Sequence, residues 1–469
     1  MHRLIMRWIL CCLIVLTSAS IKAQDNNFWT RQYGSISSVL AGAVVGSHND
    51  NGSIYYNPAT LAFTDSIKIS LSAALYETSQ WRVGNAIEKD SALNSLGFKR
   101  FPVAFFPAFN LKKNYKIGLI YLPRFYCSFR LHTSETNYAD VMNNNKPVKV
   151  FTSFDYSNDV DESWYGVSVS KKINDYSSVG IIPFVSYRYQ EYSYQYSADA
   201  LLDSLNYKYI DTYVHKYVNY YTYKLIMKLG YYYAAKSASF GAAATIPVFT
   251  FLSSGLTNAR VSLTGYDAVY PQADNQYLAV SEQDDLKARH KYPVTISLGC
   301  KFLWPKCILY FSTESFFAVK NYDILEVDEE QTMFPDYAGI SSSDLIGVKS
   351  ASRFLTNAAV GAQFKYKKNK TMSVGFSTDF NSLPQSYKLT GTNINTSNWD
   401  IYHLSTGVDV NVKKFKVSLG LRTSYGMKKD NYQFADIQSQ SADNLLYGYP
   451  QPISNYSYWD FSVLLGLNF

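Results

Sequence analysis

The last eleven residues of the chain, Trp459 to Phe469, read WDFSVLLGLNF. Every second position, from Trp459 through Phe461 to the terminal Phe469, carries a large apolar side chain, and the positions between are Asp, Ser, Leu, Gly and Asn. Because the side chains of a strand point alternately to its two faces, this pattern predicts a β-strand with one apolar face and one mostly small or polar face. A strand of a soluble β-sandwich would show the same alternation as a strand of a membrane β-barrel. The rest of the chain has to distinguish these two classes of protein.

Thirteen further segments have a strand-like pattern. With the C-terminal strand they make about fourteen, an even number as single-chain membrane barrels require. The predicted strands cover approximately 67–78, 98–111, 115–130, 160–172, 178–195, 213–234, 237–251, 288–303, 307–319, 351–366, 371–381, 399–412, 415–427 and 456–469.

The connections between these segments alternate in length and composition. Short periplasmic turns that alternate with long extracellular loops are typical of an outer-membrane β-barrel, whereas a soluble all-β protein has no reason to sort its loops in this way. The short connections are basic: Lys112-Lys113-Asn114, Lys171-Lys172-Ile173-Asn174-Asp175, Ala235-Lys236-Ser237, Trp304-Pro305-Lys306, Lys367-Lys368-Asn369-Lys370 and Lys413-Lys414. The long ones are polar to acidic: 131–159, 196–212, 252–287, 320–350, 382–398 and 428–455, with 79–97 on the same side.

The N-terminus has the features of a cleaved signal peptide. Arg3 and Arg7 precede an apolar run over 9–15, and small polar residues then lead to Ala23. The run is too short to span a bilayer, which needs about 20 residues, so we expect a removed leader of residues 1–23 and an exported chain. Its loss lowers the formal charge from +7 to +4, since Lys22 leaves as well. That charge is too mild to indicate nucleic-acid binding.

The cysteines predict a fold that needs no disulfide. Cys11 and Cys12 lie inside the hydrophobic run with no small residue just before them, which argues against a lipoprotein, and both leave with the leader. Cys127, Cys300 and Cys307 remain, an odd number. Cys300 and Cys307 flank a predicted turn, where they either approach one another or, as we expect, act as two small apolar side chains on adjacent strands.

Aromatic residues are abundant, with 42 Tyr, 28 Phe and 7 Trp making 16% of the chain. Tyrosine combines an apolar ring with a polar tip, which suits a surface that repeatedly crosses a membrane–water interface. The long uncharged stretch 237–259 contains Gly241, Pro247 and Gly255, so it fits a strand and loop better than a spanning helix.

The region before the first predicted strand, 24–66, is not strand-like and carries a distinctive pattern. A small-residue run, Ala41-Gly42-Ala43, is followed by an Asn/Asp-rich link over 48–51 and then by Tyr55-Tyr56-Asn57-Pro58-Ala59-Thr60-Leu61-Ala62. Asn before Pro favours an extended or turn conformation, and Pro58 fixes the bend that follows. The small residues allow the backbone to pack closely against a wall.

This pattern over about 33–65 resembles the FadL/TodX family of outer-membrane transporters of hydrophobic compounds. The resemblance implies a fourteen-stranded barrel plugged by an N-terminal hatch, with Tyr55, Tyr56, Asn57, Pro58 and Ala59 as the hatch motif. The expected organisation is therefore a signal peptide at 1–23, a hatch at 24–66 inside the lumen, and an all-β, antiparallel transmembrane β-barrel at 67–469. The alternative for the N-terminal residues 24–66 is a capping turn with no role in transport.

Six prolines fall inside predicted strands. Proline removes a ladder hydrogen bond, and a closed barrel has no edges to accommodate it, so these positions predict bulges, kinks or gaps in the pairing. The resemblance further implies that a kinked third strand opens a lateral window, which places Pro123 and Arg124 at the opening; the alternative is that Pro123 only adjusts barrel curvature. The prolines are Pro102, Pro107, Pro123, Pro183, Pro247 and Pro293.

The terminal aromatic residues Trp459, Phe461 and Phe469 resemble the C-terminal signal that the barrel assembly machinery recognises. No catalytic or metal-binding pattern accompanies them. The five histidines after the leader lack the spacing of a metal pair, and neither a nucleophile elbow nor a phosphate-binding loop occurs. We expect no enzyme, no metal and no cofactor; an outer-membrane hydrolase using a Ser and a His at the edge of the lumen is the remaining catalytic alternative.

These observations predict a monomeric outer-membrane protein, in contact with lipid, for passive uptake of a hydrophobic small molecule of the fatty-acid or aromatic-hydrocarbon type. Capture would rest on apolar burial, with a few polar groups orienting a head group; Lys or Arg would suit a carboxylate. One alternative is a FadL-like barrel that binds protein partners in a type IX secretion system and transports no solute. A general diffusion porin is disfavoured by the plug-like N-terminus.

Overall fold

The strands of the chain form a closed antiparallel β-barrel in a computed structural model. No helix in the described part of the chain is long and apolar enough to cross a membrane. The expected signal peptide lies outside the described residues, which are 27–64, 69–99, 103–112, 114–203, 208–266, 277–329, 332–333, 342–367, 369–384, 392, 394, 399–412 and 415–469.

The strands, numbered in chain order, are β1 Ile69–Gly84, β2 Ala92–Lys99, β3 Val103–Lys112, β4 Tyr115–Ala139, β5 Val148–Lys172, β6 Ser177–Asp203, β7 Lys208–Ala234, β8 Ala238–Thr264, β9 Tyr277–Leu286, β10 Thr295–Leu303, β11 Cys307–Phe316, β12 Val319–Leu325, β13 Thr332–Met333, β14 Val348–Ser352, β15 Leu355–Lys367, β16 Lys370–Asp379, β17 Ile401–Val412, β18 Phe415–Asn431 and β19 Ser454–Asn468. The helices are short: α1 Ser53–Tyr56, α2 Ser342–Ile346, and 3-10 turns at Pro58–Phe63, Ile437–Ser439 and Ala442–Asn444.

Fourteen wall strands make up the ring. β2 and β3 are two parts of one wall strand, and β9 and β10 are two parts of another. The ring closes between the first and last strands, where Ser70 pairs with Asn468. The remaining short strands are β12 and β14, which pair with each other, and β13, which pairs with β9. Each predicted strand coincides with one wall strand, so the predicted fourteen-stranded antiparallel barrel is confirmed.

The predicted lengths of the long loops were wrong on one side of the barrel, where the strands extend into them. Much of 131–159, 196–212 and 252–287 is strand, because β4 to β8 each run for 25 to 27 residues. These extensions are polar, as loops are, but they are also rich in Tyr, Thr and Val, which favour paired strands. Beyond the membrane neither face of a strand needs an apolar pattern, so polarity did not distinguish strand from loop there.

The two faces of the wall differ in the way a membrane barrel requires. The C-terminal strand shows it: Trp459, Phe461 and Phe469 are exposed, whereas Asp460 and Asn468 are buried against the interior. Exposed aromatic side chains form two belts around the outside, and the strand stretches between them carry exposed Leu, Val and Ile. The lower belt includes Tyr115, Tyr233, Phe240, Phe302, Trp304, Tyr366, Phe415 and Phe469, and the upper belt includes Tyr121, Tyr165, Phe251, Phe376, Tyr402 and Trp459.

A charged residue at position 469 is expected to impair assembly of the barrel. Phe469 is exposed in the lower belt and packs edge-on against Phe415, with ring centroids 5.1 Å apart, whereas Asn468 is buried on the inner face. Phe469→Lys should therefore reduce the folded fraction in membranes more than Asn468→Ala, as measured by heat-modifiable gel mobility. Equal folded yields for the two variants would contradict this orientation of the strand.

The three described cysteines are free. Cys300 pairs across the ladder with Phe311, and Cys307 pairs with Phe364, so the two side chains do not face each other. The interpretation of Cys300 and Cys307 as two small side chains on adjacent strands is confirmed.

Candidate functional site

Residues 27–64, here called the N-terminal segment, run across the inside of the ring. Their backbone is hydrogen-bonded by buried serine side chains of five wall strands that lie far apart around the ring. The bonds join Gly34 N to Ser72, Val39 O to Ser405, Val45 N to Ser312, Gly46 O to Ser239 and Ala59 O to Ser178, at 2.7–3.1 Å.

The predicted motif Asn57-Pro58-Ala59 is fully buried against the wall. The Asn57 amide donates to the carbonyl oxygens of Val45 (3.0 Å) and Tyr231 (2.9 Å), and its own oxygen accepts from Ala59 N at 3.1 Å. Pro58 begins the 3-10 turn Pro58–Phe63, which Asn57 caps. One amide thus joins two legs of the N-terminal segment to strand β7.

Tyr55 and Tyr56 point in different directions from the same helical turn. The Tyr56 hydroxyl accepts from Tyr33 N at 2.9 Å and donates to the Gln32 side chain at 2.8 Å, so it holds the segment together. Tyr55 faces the wall, with Lys228 Nζ 4.8 Å from its ring centroid. Burial raises the pKa of both tyrosines well above the usual value, so both hydroxyls remain protonated.

The Asp50 carboxylate is the centre of the segment and is fully buried. It accepts hydrogen bonds from the backbone N–H groups of Ile36 (2.5 Å), Ser37 (3.0 Å) and Ser53 (3.1 Å). The hydroxyls of Ser35 and Ser37 also donate to it. The backbone donors of Ile36 and Ser37 therefore depend on one side chain, whereas Ser53 N also donates to Asp50 O at 3.2 Å. The sequence analysis missed this role, because a single Asp in a polar link carries no pattern.

Ten inward-facing glycines, here called the glycine ring, meet the N-terminal segment from ten different wall strands. A Cβ built on any of them would contact the segment; at Gly241 it would run into Val45 O and the Asn57 amide. Cross-strand pairs such as Gly180–Gly230 and Gly361–Gly375 lie at this level. Close approach of the segment to the wall requires these glycines. They are Gly118, Gly180, Gly230, Gly241, Gly299, Gly361, Gly375, Gly407, Gly420 and Gly466.

The small-residue run Ala41-Gly42-Ala43 behaves partly as predicted. Ala41 packs against Gly375 of the wall, as expected for close backbone approach. Gly42 has a positive φ of 78° and lies against Gln32 and Tyr56, so it serves a turn within the segment rather than contact with the wall.

The described prolines of the wall all lie at interruptions of the ladder, as predicted from their missing donors. Pro123 lies at a bulge opposite Ser163, and Pro247 lies beside a register shift opposite Ile226. Pairing also skips positions next to Pro107 and Pro183, and Pro293 lies in the break between β9 and β10. Pro102 lies outside the described residues.

The ladder of strand β4 changes near Pro123. Its pairing with β3 ends at Phe105–Tyr121, and its pairing with β5 has a bulge between Pro123 and Phe125. The carbonyl oxygens of Pro123 and Arg124 accept from the Tyr33 hydroxyl, at 2.9 and 3.0 Å. The structure thus brings the N-terminal segment into contact with the two residues predicted at a strand opening.

A charged cavity lies next to this contact. Arg124 donates to Phe28 O at 2.5 Å, and on the neighbouring strand β5 Glu162 accepts from Arg188 at 3.0 Å and from Trp164 at 2.6 Å. The cavity has a volume of about 30 Å³, which leaves room for one or two water molecules. In and around the cavity, buried cations outnumber buried carboxylates: the cations are Arg124, Arg188, Lys224 and Lys228, and the carboxylates are Glu162 and Glu314.

Aromatic side chains fill the extracellular half of the ring. Trp81 packs on Trp399 with ring centroids 5.3 Å apart, and Tyr196 stacks on Tyr447 at 4.2 Å. The long connection after β18 folds into this cluster, where Leu446 O accepts from the Tyr196 hydroxyl. Sequence reasoning missed this filling, since the connections showed no apolar periodicity. No group of three or more potential metal ligands occurs among the residues that the structure describes.

Several solved structures have the same fold. A FadL homologue of Pseudomonas aeruginosa matches at a TM-score of 0.59 and 13% identity, over 94% of this chain and 99% of that one. The toluene transporter TodX of Pseudomonas putida matches at 0.54 and 13%, over 93% and 99%. The toluene transporter TbuX of Ralstonia pickettii matches at 0.51 and 12%, over 93% and 98%.

No protein-family model matches the sequence. No curated protein matches it either. At 12–13% identity the structural likeness shows the fold alone, and at that level the resemblance to the FadL/TodX family is confirmed.

Proposed function

We propose that this chain, which has the fold of the FadL homologue and of TodX, takes up a hydrophobic small molecule across the outer membrane without an energy source. In this proposal residues 1–23 are a cleaved signal peptide, 24–66 form a hatch that blocks the lumen, and 67–469 form the barrel. The barrel assembly machinery would insert the chain, which would act as a monomer.

The contact between Tyr33 and the bulge of β4 is the observation that carries the proposal. The ladder between β3 and β4 is interrupted beyond Tyr121, and the carbonyl oxygens of Pro123 and Arg124 accept from a hydroxyl of the N-terminal segment. A shift of the segment would therefore change the wall at the same place. A ligand released there would pass sideways into the bilayer and would not need a water-filled path through the hatch.

The cation excess beside this opening favours a substrate with an acidic head group. Among the described residues, Arg124 Nε has no hydrogen-bond partner although the side chain is only 4% exposed. The rings of Tyr55 and Trp164 lie 6.0 and 5.5 Å from its guanidinium carbon. A carboxylate would complete the bonding of Arg124, and a hydrocarbon chain would pack on the rings. A long-chain fatty acid meets both requirements better than a neutral aromatic hydrocarbon.

Replacing Pro123 with Val is expected to reduce uptake of a long-chain fatty acid. Val restores a backbone donor and favours paired strand, so the ladder beside Tyr121 can close. Ligand binding at the extracellular side and barrel stability should stay near wild type. The measurement is uptake of labelled fatty acid in a strain that lacks other such transporters, with Pro305→Val in a periplasmic turn as the matched control. Wild-type uptake by Pro123→Val would rule out the route past strand β4.

The filled extracellular half of the ring favours a second candidate, a barrel that binds protein partners and transports no solute. An interaction protein needs no ligand path, and the aromatic cluster of Trp81, Trp399 and Tyr447 occupies the interior on that side. The long hairpins of β4 to β8 would supply the binding surface. Lipid extraction of the purified protein separates the two: a transporter should carry bound fatty acid, whereas an interaction protein should carry none and its deletion should leave uptake unchanged.

A further inference from the structure

A second interruption of the wall lies between β8 and the strand formed by β9 and β10. Pairing of β8 with β10 ends at Thr245–Thr295, and pairing with β9 begins again at Gly255–Leu286. Between these limits residues 246–254 and 287–294 do not pair with each other. The interruption is closed above and below, so it is a window in the wall rather than a frayed edge. We call it the β8 window.

Both sides of the β8 window are held in place by their other neighbours. On one side β8 remains paired with β7, through bulges next to Lys224 and Ile226. On the other side residues 287–294 bond to the chain that follows β11: Arg289 N donates to Ile324 O at 2.7 Å, and Phe317 N donates to Val294 O at 3.0 Å. Strand β8 on one side and the hydrogen-bonded stretch 287–294 on the other therefore keep the separation in place, and Pro247 and Pro293 each lack a donor that could bridge it.

The β8 window encloses space. None of residues 246–254 is buried, although β8 has the usual buried positions below and above them. A cavity of about 500 Å³ lies between Thr250–Ser253 and Lys287–Lys291. This volume falls within the range of binding sites for small organic ligands. It is much larger than the charged cavity inside the ring, with which it shares His290 and Lys291.

The rim of the β8 window is basic on one side and apolar on the other. Lys287, Arg289 and Lys291 are exposed and alternate with Ala288, which is buried, and His290, which is half-buried. Arg289 pairs with Glu326 at 2.7 Å, but both side chains are 47% exposed, so the pair is weak. Across the window Phe249, Phe251 and Leu252 are exposed.

The β8 window lies at the height of the membrane–water interface. Phe251 belongs to the upper aromatic belt, and its ring centroid lies 6.1 Å from that of Tyr223 on the neighbouring strand. Cations at this height lie where the head groups of the outer leaflet begin, and the phenylalanines lie against the acyl chains. Behind the rim, Lys224 Nζ is 3.1 Å from His290 Nδ1, which extends the positive charge toward the interior.

We propose that the β8 window is a binding site for an anionic amphiphile of the membrane, with the acidic head group on Lys287, Arg289 and Lys291 and the acyl chain on Phe249, Phe251 and Leu252. The amphiphile is either a free fatty acid or an anionic phospholipid, since both present an acidic oxygen cluster on a hydrocarbon chain. Binding itself does not depend on the uptake function proposed above.

The test compares two variants of the full-length barrel. One carries Lys287→Gln, Arg289→Gln and Lys291→Gln, and the control carries Lys171→Gln, Lys236→Gln and Lys306→Gln at the periplasmic end, with the same loss of charge. The probes are a long-chain diazirine fatty acid, its methyl ester, and phosphatidylglycerol nanodiscs followed by native mass spectrometry. Heat-modifiable mobility establishes that both variants are folded.

The wild type and the control should crosslink the fatty acid at 246–254 or 287–294, or retain phosphatidylglycerol. The rim variant should lose about tenfold or more of that binding, because each charge-assisted hydrogen bond is worth about a factor of ten. Crosslinking of the fatty acid identifies a ligand in transit, and retention of phosphatidylglycerol alone identifies a resident lipid. Equal labelling by the methyl ester, or undiminished binding to the rim variant, would overturn the proposal. Pro123→Val should leave binding at the β8 window unchanged. Failure of the proposed uptake route past strand β4 can therefore be distinguished from failure of the proposed binding site.

Discussion

A barrel that lacks residues 24–62 is expected to conduct ions several times better than the whole chain in planar bilayers. In the whole chain the N-terminal segment bonds to five wall serines and packs on the glycine ring, so little space is left at that level. Deletion exposes an inner wall of serine and glycine, which water and ions can fill. The whole chain should show low conductance under the same conditions.

Interpretation of the conductance requires that the shortened barrel still assembles. The fourteen wall strands pair with one another and not with the segment, so we expect heat-modifiable mobility to persist. A matched comparison is Gly241→Leu, whose side chain would displace Val45 and Asn57, against Gly84→Leu, where a Cβ would meet only Asn455 O at 3.7 Å. Gly241→Leu should raise conductance and Gly84→Leu should not. Unchanged conductance of the deletion variant would show that the segment does not block the lumen.

Replacing Asp50 with Ala is expected to detach the N-terminal segment by a single substitution. The change leaves the backbone donors of Ile36 and Ser37 without an acceptor in a fully buried site. Each orphaned donor costs about 1–3 kcal/mol, which together is enough to unfold the segment around Asp50. Conductance should approach that of the deletion variant, and amide hydrogen exchange should accelerate over residues 33–53 while the wall strands remain protected.

Two further variants separate loss of the carboxylate from a general effect. Asp50→Asn keeps one acceptor oxygen and the shape of the side chain, so it should give an intermediate conductance. Asp175→Ala in the exposed β5–β6 turn removes the same charge at the surface and should behave as wild type. Slow exchange over residues 33–53 in Asp50→Ala would refute the central role of this carboxylate.

The wall of the barrel could be predicted well because its signals are local. Period-two alternation within each strand and basic turns between strands located all fourteen wall strands, including the orientation of Trp459, Phe461 and Phe469. The extensions of β4 to β8 were assigned to loops because, outside the membrane, strand and loop are equally polar. The site was predicted only where a rare residue marks it: Asn57-Pro58-Ala59 by its pattern, and Pro123 by its missing donor.

The sequence by itself determined that this protein is an antiparallel barrel with its apolar face outward, because neighbouring residues alone decide how a strand alternates and where it turns. Only the tertiary structure decided what the interior holds. Asn57 bonds to Tyr231 across 174 positions, and Tyr33 meets Pro123 across 90. The glycine ring, the charged cavity and the β8 window likewise join residues from strands that are distant in the chain. Such contacts depend on how the closed ring sets the register of its strands, and no local pattern records that register.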